Sequence, residues 1–145
     1  MKILSRACNY GIRALIYMVA NNGGQENTSI GEISEELDIS FHFLTKTFQE
    51  LNRANLLKSS RGPNGGVALT RPAADISMME IILVIEGDDF FDTCLLGLPD
   101  CGNGAPCPIH EVWKDKKDKM RLEFETTSLA DLGVRVSEDK MRITI

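Results

Sequence analysis

Residues 28–70 read TSIGEISEELDISFHFLTKTFQELNRANLLKSSRGPNGGVALT, and this stretch decides the fold. Its first part contains two segments in which apolar residues recur at helical spacing, with a tight turn at 38–40 between them. The apolar positions are Ile30, Ile33 and Leu37 in the first segment, and Leu44, Phe48 and Leu51 in the second. Thr28 or Ser29 can cap the first helix, and Ser40 can cap the second. Two short helices joined by a tight turn form a helix-turn-helix.

The second part of the stretch is typical of a β-hairpin. Two strand-like runs, 56–59 and 67–70, flank the turn sequence Arg61-Gly62-Pro63-Asn64-Gly65-Gly66. Glycine, proline and asparagine supply the backbone conformations that tight turns require. A hairpin that directly follows a helix-turn-helix is the wing of a winged-helix domain, and the sequence predicts this domain over residues 1–76.

The flanking sequence predicts three further helices. The first covers about 5–21, and the second covers 77–85, where a Ser-x-x-Glu capping box opens it. A long third helix begins near Pro108 and extends to about 125, with apolar residues along one stripe. Residues 134–145 are expected to form a weakly specified tail with room for a short strand.

Length and composition fit one domain with a small appendage. The chain has 145 residues, of which 43% are hydrophobic. The predicted class is mainly α with a small β-hairpin. The winged helix-turn-helix domain occupies 1–76, a linking helix and a cysteine-bearing loop occupy 77–108, and the long helix and its tail occupy 109–145.

Two function classes are excluded by simple counts. The longest purely apolar run, 14–20, is far shorter than the roughly 20 residues that cross a bilayer, and no secretory signal is evident, so a cytoplasmic protein without a membrane span is expected. No phosphate-binding glycine loop, Cys-x2-Cys pair or nucleophile-base arrangement is present, so an enzyme is not expected. The alternative of an enzyme or electron carrier would have to use the cysteines alone.

The net charge of −5 would ordinarily argue against a nucleic-acid partner, but the charge is unevenly distributed. Residues 1–76 carry 8 Lys or Arg and 7 Asp or Glu, whereas residues 77–145 carry 8 and 14. The predicted winged-helix domain is therefore slightly basic, and the acidic excess lies outside it.

The second helix of the helix-turn-helix has a polar face that suits the DNA major groove. On it, His42, Thr45 and Lys46 are expected to face the bases. Ser40 and Ser59 can donate hydrogen bonds to phosphate, and Arg61 at the wing tip can follow the backbone or the minor groove. The alternative is that these side chains are the solvated face of an ordinary helical domain.

Three of the four cysteines form a cluster with the spacing Cys94-x6-Cys101-x5-Cys107-x2-His110. Three thiolates and an imidazole can complete a four-ligand site, either tetrahedral zinc or an iron-sulfur cluster. Zinc sites usually take closely spaced cysteine pairs, which this spacing lacks, so a cluster fits better. The fourth cysteine, Cys8, lies on the apolar stripe of the first helix and is expected in the core.

Four motifs stand out along the chain: Asp38-Ile39-Ser40, Arg61-Gly62, Gly65-Gly66 and Ile85-Glu86-Gly87. Together they resemble those of the Rrf-type winged-helix transcription regulators, a family with IscR-like, NsrR-like and CymR-like branches. The resemblance covers essentially the whole chain. It implies a homodimer that binds a palindromic operator on double-stranded DNA through His42, Thr45, Lys46 and Arg61. The long C-terminal helix would pair across the two-fold axis through Ile109, Val112, Trp113, Met120 and Phe124.

The resemblance also implies an iron-sulfur cluster, because IscR-like and NsrR-like members hold one through three such cysteines, whereas CymR-like members lack them. His110 matches the fourth ligand of IscR-like members, which favours a 2Fe-2S cluster over a 4Fe-4S cluster. The first gap has six residues rather than the usual five, and the first helix lacks the acid that some NsrR-like members contribute, which leaves Cys8 as a less favoured fourth ligand. The expected function is a transcription regulator whose operator affinity depends on the cluster. Repression is the expected direction, and activation stays open. The alternative is a regulator with structural zinc or a metal-free thiol switch.

Overall fold

The computed structural model describes residues 2–145, and in that range the chain has six α-helices and one two-stranded antiparallel sheet. The predicted class, mainly α with a small hairpin, is confirmed. In chain order the elements are α1 Arg6–Asn22, α2 Ile30–Leu37, α3 Phe41–Arg53, β1 Leu57–Ser60, β2 Gly66–Leu69, a 3₁₀ turn Ala73–Asp75, α4 Met78–Glu86, α5 His110–Thr126 and α6 Leu129–Ser137.

Helices α2 and α3 form the helix-turn-helix. Ser29, not Thr28, caps α2, because its side chain accepts a hydrogen bond from the amide of Glu32. Asp38 ends α2 in the left-handed conformation, with φ of 51°. Ser40 occupies the position before α3, but its side chain makes no capping hydrogen bond. The apolar positions predicted on both helices are buried except Ile30, which is partly buried and packs against the core.

The wing is joined to the start of α2. The strands pair from Leu57 opposite Leu69 to Ser60 opposite Gly66. Thr28 and Val67 then exchange two backbone hydrogen bonds of 2.9 Å each. Gly66 has a φ of 141°, and a Cβ atom there would lie 2.3 Å from the carbonyl oxygen of Thr28. Only glycine therefore allows the wing to approach α2 this closely.

The C-terminal segment contains a helix, α6, that the sequence analysis did not predict. It covers the first four residues of the predicted tail, whereas 138–145 are irregular, as predicted. Ser128 and Asp131 form a capping box that opens α6, and this spacing was the overlooked signal. Helix α6 packs against α1, where a Cβ atom on Gly133 would lie 2.5 Å from Cγ1 of Val19. No strand forms among residues 134–145 of the described chain. Instead, the carbonyl of Ile143 accepts a 2.7 Å hydrogen bond from Nε of Arg13.

The core surrounds α1, and α5 lies at its margin. Cys8 is completely buried, as predicted. By contrast, α5 has no buried residue along its whole length, and it packs mainly against α4. The predicted capping box of Ser77 and Glu80 opens α4. Within residues 2–145, no helix is both long and apolar enough to span a membrane.

Candidate metal centre and nucleic-acid interface

The loop between α4 and α5 brings its three cysteines together. The sulfur atoms of Cys94, Cys101 and Cys107 all lie within 4.8 Å of one another, and those of Cys94 and Cys107 are 3.7 Å apart. Metal–sulfur bonds of about 2.3 Å at tetrahedral angles place two thiolates on one ion about 3.8 Å apart. The spacing of Cys94 and Cys107 is thus that of two ligands on one metal ion.

His110, the first residue of α5, lies next to Cys101. Its Nδ1 lies 3.2 Å from the sulfur of Cys101, and its backbone amide donates to the carbonyl of Cys107 at 3.0 Å. Gly102 passes directly over the imidazole, with φ of 104°, and a Cβ there would lie 2.6 Å from Cε1 of His110. Any side chain at position 102 would displace the ring.

Backbone amides point at the sulfur atoms, which favours thiolates. The pKa of Cys94 is lowered to about 7, mainly by a hydrogen bond from the backbone amide of Leu98. A hydrogen bond from the amide of Leu96 also lowers it. The amide of Cys107 donates to the sulfur of Cys101 at 3.4 Å and by itself lowers the pKa of that thiol. Desolvation and the neighbouring thiols outweigh it, so the pKa of Cys101 is raised overall. Cys94 is therefore the first of these two thiols to lose its proton as the pH rises.

The donor set fits a metal centre with open access. Three thiols and an imidazole suit tetrahedral zinc or the two irons of a 2Fe-2S cluster. They line a cleft of about 730 Å³ that is open to solvent, together with three cationic and three acidic side chains. The cations are Lys114, Lys117 and Arg121, and the acids are Asp92, Asp100 and Asp118.

Cys8 is separate from this group. Its thiol is buried, and burial, reinforced by the Glu86 carboxylate, raises its pKa to about 12. Among the described residues, the cysteines whose sulfur atoms lie within 4.8 Å of one another do not include Cys8. Its expected place in the core is confirmed.

The predicted DNA face is exposed but not uniform. His42, Lys46 and the wing residue Arg61 are exposed, whereas Thr45 is half-buried and its hydroxyl donates to the carbonyl of Phe41 at 2.8 Å. Ser40 and Ser59 are also exposed, and Oγ of Ser59 accepts from Nδ2 of Asn52 at 3.0 Å. The predicted set of DNA-contact residues leaves out Gln49. This side chain is exposed, lies on the same face of α3 and lines a groove beside Ser59. Its position two turns beyond His42 was the available signal.

The predicted dimer stripe on α5 does not lie on a single free surface. Val112 is 55% exposed, whereas Ile109, Trp113, Met120 and Phe124 are half-buried. The indole of Trp113 donates to the carbonyl of Thr93 at 3.1 Å, and the ring of Phe124 lies 6.2 Å from that of Phe91. At least these two side chains face the cysteine loop of their own chain.

Comparison with known proteins agrees with this architecture. The family model Rrf2, described as "Iron-dependent Transcriptional regulator", matches residues 4–135. IscR of Vibrio atlanticus, an HTH-type transcriptional regulator, is 30% identical over 132 residues, which cover 91% of this chain and 75% of that protein.

Solved structures give the same result. The T. potens IscR structure has a TM-score of 0.73 at 27% identity, covering 96% of this chain and 91% of its own. The B. subtilis global cysteine regulator CymR has a TM-score of 0.74 at 28% identity, covering 90% and 95%. These relatives are transcriptional regulators and not enzymes. The chain accordingly belongs to the Rrf2 family of winged-helix transcriptional regulators.

Proposed function

We propose that the chain binds a palindromic operator as a homodimer and that an iron-sulfur cluster on Cys94, Cys101, Cys107 and His110 controls its affinity. The observation that carries the proposal is the convergence of four soft donors: three sulfur atoms within 4.8 Å and an imidazole nitrogen 3.2 Å from one of them. A 2Fe-2S cluster is favoured over 4Fe-4S, because histidine ligation occurs in two-iron centres. Such a cluster supplies a group that responds to redox state, nitric oxide or iron supply.

The reading head in this proposal is α3 with the wing, within residues 1–76. His42 and Lys46 are exposed where an inserted helix would meet base edges, and half-buried Thr45 lies between them. Arg61 on the wing and the exposed hydroxyls of Ser40 and Ser59 contact the phosphate backbone, which positions the domain without specifying sequence.

Dimerisation is assigned to residues 109–145 and mainly to α5. A helix of 17 residues without a buried side chain leaves much of its surface uncovered by its own chain, and most of the stability of helices in proteins comes from packing. Its stripe of Ile109, Val112, Trp113, Met120 and Phe124 is the proposed interface, with Val112 the most exposed of these. A second chain would bury it and set the spacing of the two heads.

Residues 77–108 connect the centre to the head in this proposal. Glu86, the last residue of α4, accepts a 2.7 Å hydrogen bond from the amide of Ser5, and Ser5 caps α1. A change in the order of the loop after Gly87 would therefore act on Glu86, whose carboxylate is hydrogen-bonded to Ser5, the cap of α1. Regulation requires only that two states of the proposed cluster favour different arrangements of the two winged-helix domains in the dimer.

A second candidate function follows from one distance. The thiols of Cys94 and Cys107, 3.7 Å apart, could act as a metal-free switch, or the four donors could hold structural zinc. The similarity to CymR, which is also known in an oxidized form from Staphylococcus aureus, supports the thiol alternative.

The deciding experiment is anaerobic purification followed by a visible spectrum and iron, sulfide and zinc analysis. Cys107→Ala is the test variant, and Cys8→Ala, which alters a core thiol outside the centre, is the matched control. We expect iron and sulfide in equal amounts with visible charge-transfer bands, lost in Cys107→Ala and kept in Cys8→Ala. A colourless protein with one zinc per chain would replace the cluster by structural zinc. A protein that holds no metal after reconstitution would leave the thiol switch.

A further inference from the structure

The carbonyl oxygen of Thr93 accepts two side-chain hydrogen bonds from α5. Nε1 of Trp113 donates at 3.1 Å and Nζ of Lys117 donates at 3.2 Å. The two donors are four residues apart and therefore lie on one face of the helix. Thr93 directly precedes Cys94, so these bonds hold the backbone at a candidate ligand.

The same face of α5 also contacts Phe91, which lies two positions before Thr93 in the loop. The guanidinium of Arg121 lies 4.8 Å from the centre of the Phe91 ring, and the Phe124 ring lies 6.2 Å from it. Phe91 is buried. Residues 91–93 are thus fixed along about three turns of α5, with an aromatic anchor at one end and a twice-bonded carbonyl at the other.

Lys117 is not used in a surface ion pair. The α5 ion pairs found in the described chain join Asp115 to Lys116 and Lys119, which are both well exposed. Lys117 is instead half-buried in the cysteine cleft, and its ammonium is bonded to the Thr93 carbonyl. A hydrogen bond from a charged donor is stronger than one between neutral groups.

We infer that Trp113 and Lys117 are positioning residues for the ligand Cys94. They hold the Thr93 carbonyl so that the Cys94 sulfur meets that of Cys107. The inference rests on the proposed function in that it requires the three cysteines to bind metal, and it adds the residues that assemble the site. It also gives Trp113, which belongs to the stripe proposed for dimerisation, a role within its own chain.

The test uses Co²⁺, which reports thiolate ligation by its absorption and needs no cluster assembly. Metal-free wild-type protein, Lys117→Met, Lys117→Arg and Lys116→Met are titrated anaerobically, after circular dichroism has established that each is folded. We expect Lys117→Met to bind Co²⁺ about three- to tenfold more weakly, the range for losing one charged hydrogen bond that is partly exposed. Lys117→Arg keeps a donor and should recover most of the affinity, and Lys116→Met should match the wild type.

Fluorescence gives an independent readout, because Trp113 is the only tryptophan in the chain. Its emission should change on Co²⁺ binding in the wild type and should already be shifted in metal-free Lys117→Met. Unchanged Co²⁺ affinity and unchanged emission in Lys117→Met would overturn the positioning role and leave the proposed metal centre intact. A wild-type protein without a cobalt–thiolate spectrum would overturn both.

Discussion

Glu86 is a single residue that joins two distant parts of the chain. Its carboxylate accepts the amide of Ser5 at 2.7 Å, and the Ser5 hydroxyl accepts the amide of Cys8 at 3.1 Å, which caps α1. The residue after Glu86 is Gly87, where the cysteine loop begins. The connection between loop and head therefore includes a hydrogen bond between side chain and backbone, in addition to the packing of α4 against α1 and α3.

Replacing Glu86 with alanine should lower the free energy of unfolding by about 1–2 kcal/mol, because an amide at the start of α1 loses a charged acceptor. Glu86→Gln keeps an acceptor oxygen and should cost less than half as much. Urea denaturation of the metal-free protein measures both. An unchanged free energy of unfolding in Glu86→Ala would mean that the hydrogen bond to Ser5 contributes nothing measurable.

Cys8 should behave unlike the other three thiols. Its pKa of about 12, raised from 9.0 by burial and then by Glu86, keeps it protonated, so iodoacetamide at pH 8 should modify three cysteines in the metal-free folded protein and four in urea. The raised pKa favours the folded state below pH 9, and this contribution should disappear as pH rises from 9 to 12. Mass spectrometry counts the modified thiols. Modification of Cys8 as fast as Cys94 would show that its burial is transient.

The convergence of the three cysteines could be predicted from the sequence, whereas the contacts around them could not. Cys94, Cys101, Cys107 and His110 stand out in the sequence because few other functions need those residue types so close together. The bonds of Trp113 and Lys117 to Thr93 leave no such signal. Helical phase places both side chains on one face of α5, but it does not say whether that face meets a loop, a partner chain or water.

At the scale of elements, two helical glycines have opposite roles. Gly133 in α6 lies against Val19 of α1, and a methyl group there would come within 2.5 Å of Cγ1. Gly31 in α2 has room for one, since the nearest atom, Oγ of Ser29, is 3.5 Å away. The first glycine allows two helices to touch, and the second only adds backbone freedom.

Gly133→Ala should therefore destabilise the protein by about 1–3 kcal/mol through overpacking. Gly31→Ala should stabilise it by about 0.5–1 kcal/mol, because alanine is the better helix former. Thermal unfolding of the two variants beside the wild type gives both signs in one experiment. A stabilised Gly133→Ala protein would mean that α6 does not pack tightly on α1.

The elements were predicted well where the pattern was long and poorly where it was short. Helices α1 to α5 and the hairpin follow from periodicity, caps and turn residues. Helix α6 was missed because its nine residues contain only a brief apolar pattern, Leu129, Leu132 and Val136, and because its capping box uses aspartate at the third position. Its stability comes from packing against α1, which is a tertiary property.

For the whole molecule, charge distribution matters more than net charge. The winged-helix half is slightly basic, and its exposed cations at Lys46 and Arg61 lie on the candidate DNA face of a protein whose net charge is −5. Attraction to DNA is therefore local, and the acidic half is expected to be repelled from it. Binding should accordingly be oriented even before sequence is read.

Lys46→Ala should weaken binding to a duplex selected from a random library by wild-type protein, because one cation on the DNA face is lost. If Lys46 contacts phosphate, the slope of log affinity against log salt should fall by about 1 and all sequences should be affected alike. If it reads a base, specificity at one position in each half-site should relax by about 1–3 kcal/mol. Lys119→Ala on α5 is the control. If Lys46→Ala binds the duplex with wild-type affinity, Lys46 is not part of the DNA interface.

The cysteine loop is held at both ends and free in the middle. Gly87 follows α4, His110 begins α5, and Leu95, Leu96 and Leu98 between the first two ligands are each at least half exposed. An insertion at this tip can be absorbed without moving either helix, so the six residues between Cys94 and Cys101 fit between the same two helices. In the proposed function this segment is thus an exchangeable sensing module. Grafting loops of other lengths or ligand sets between the same two helices offers a route to engineered biosensors that keep one operator and change only the stimulus.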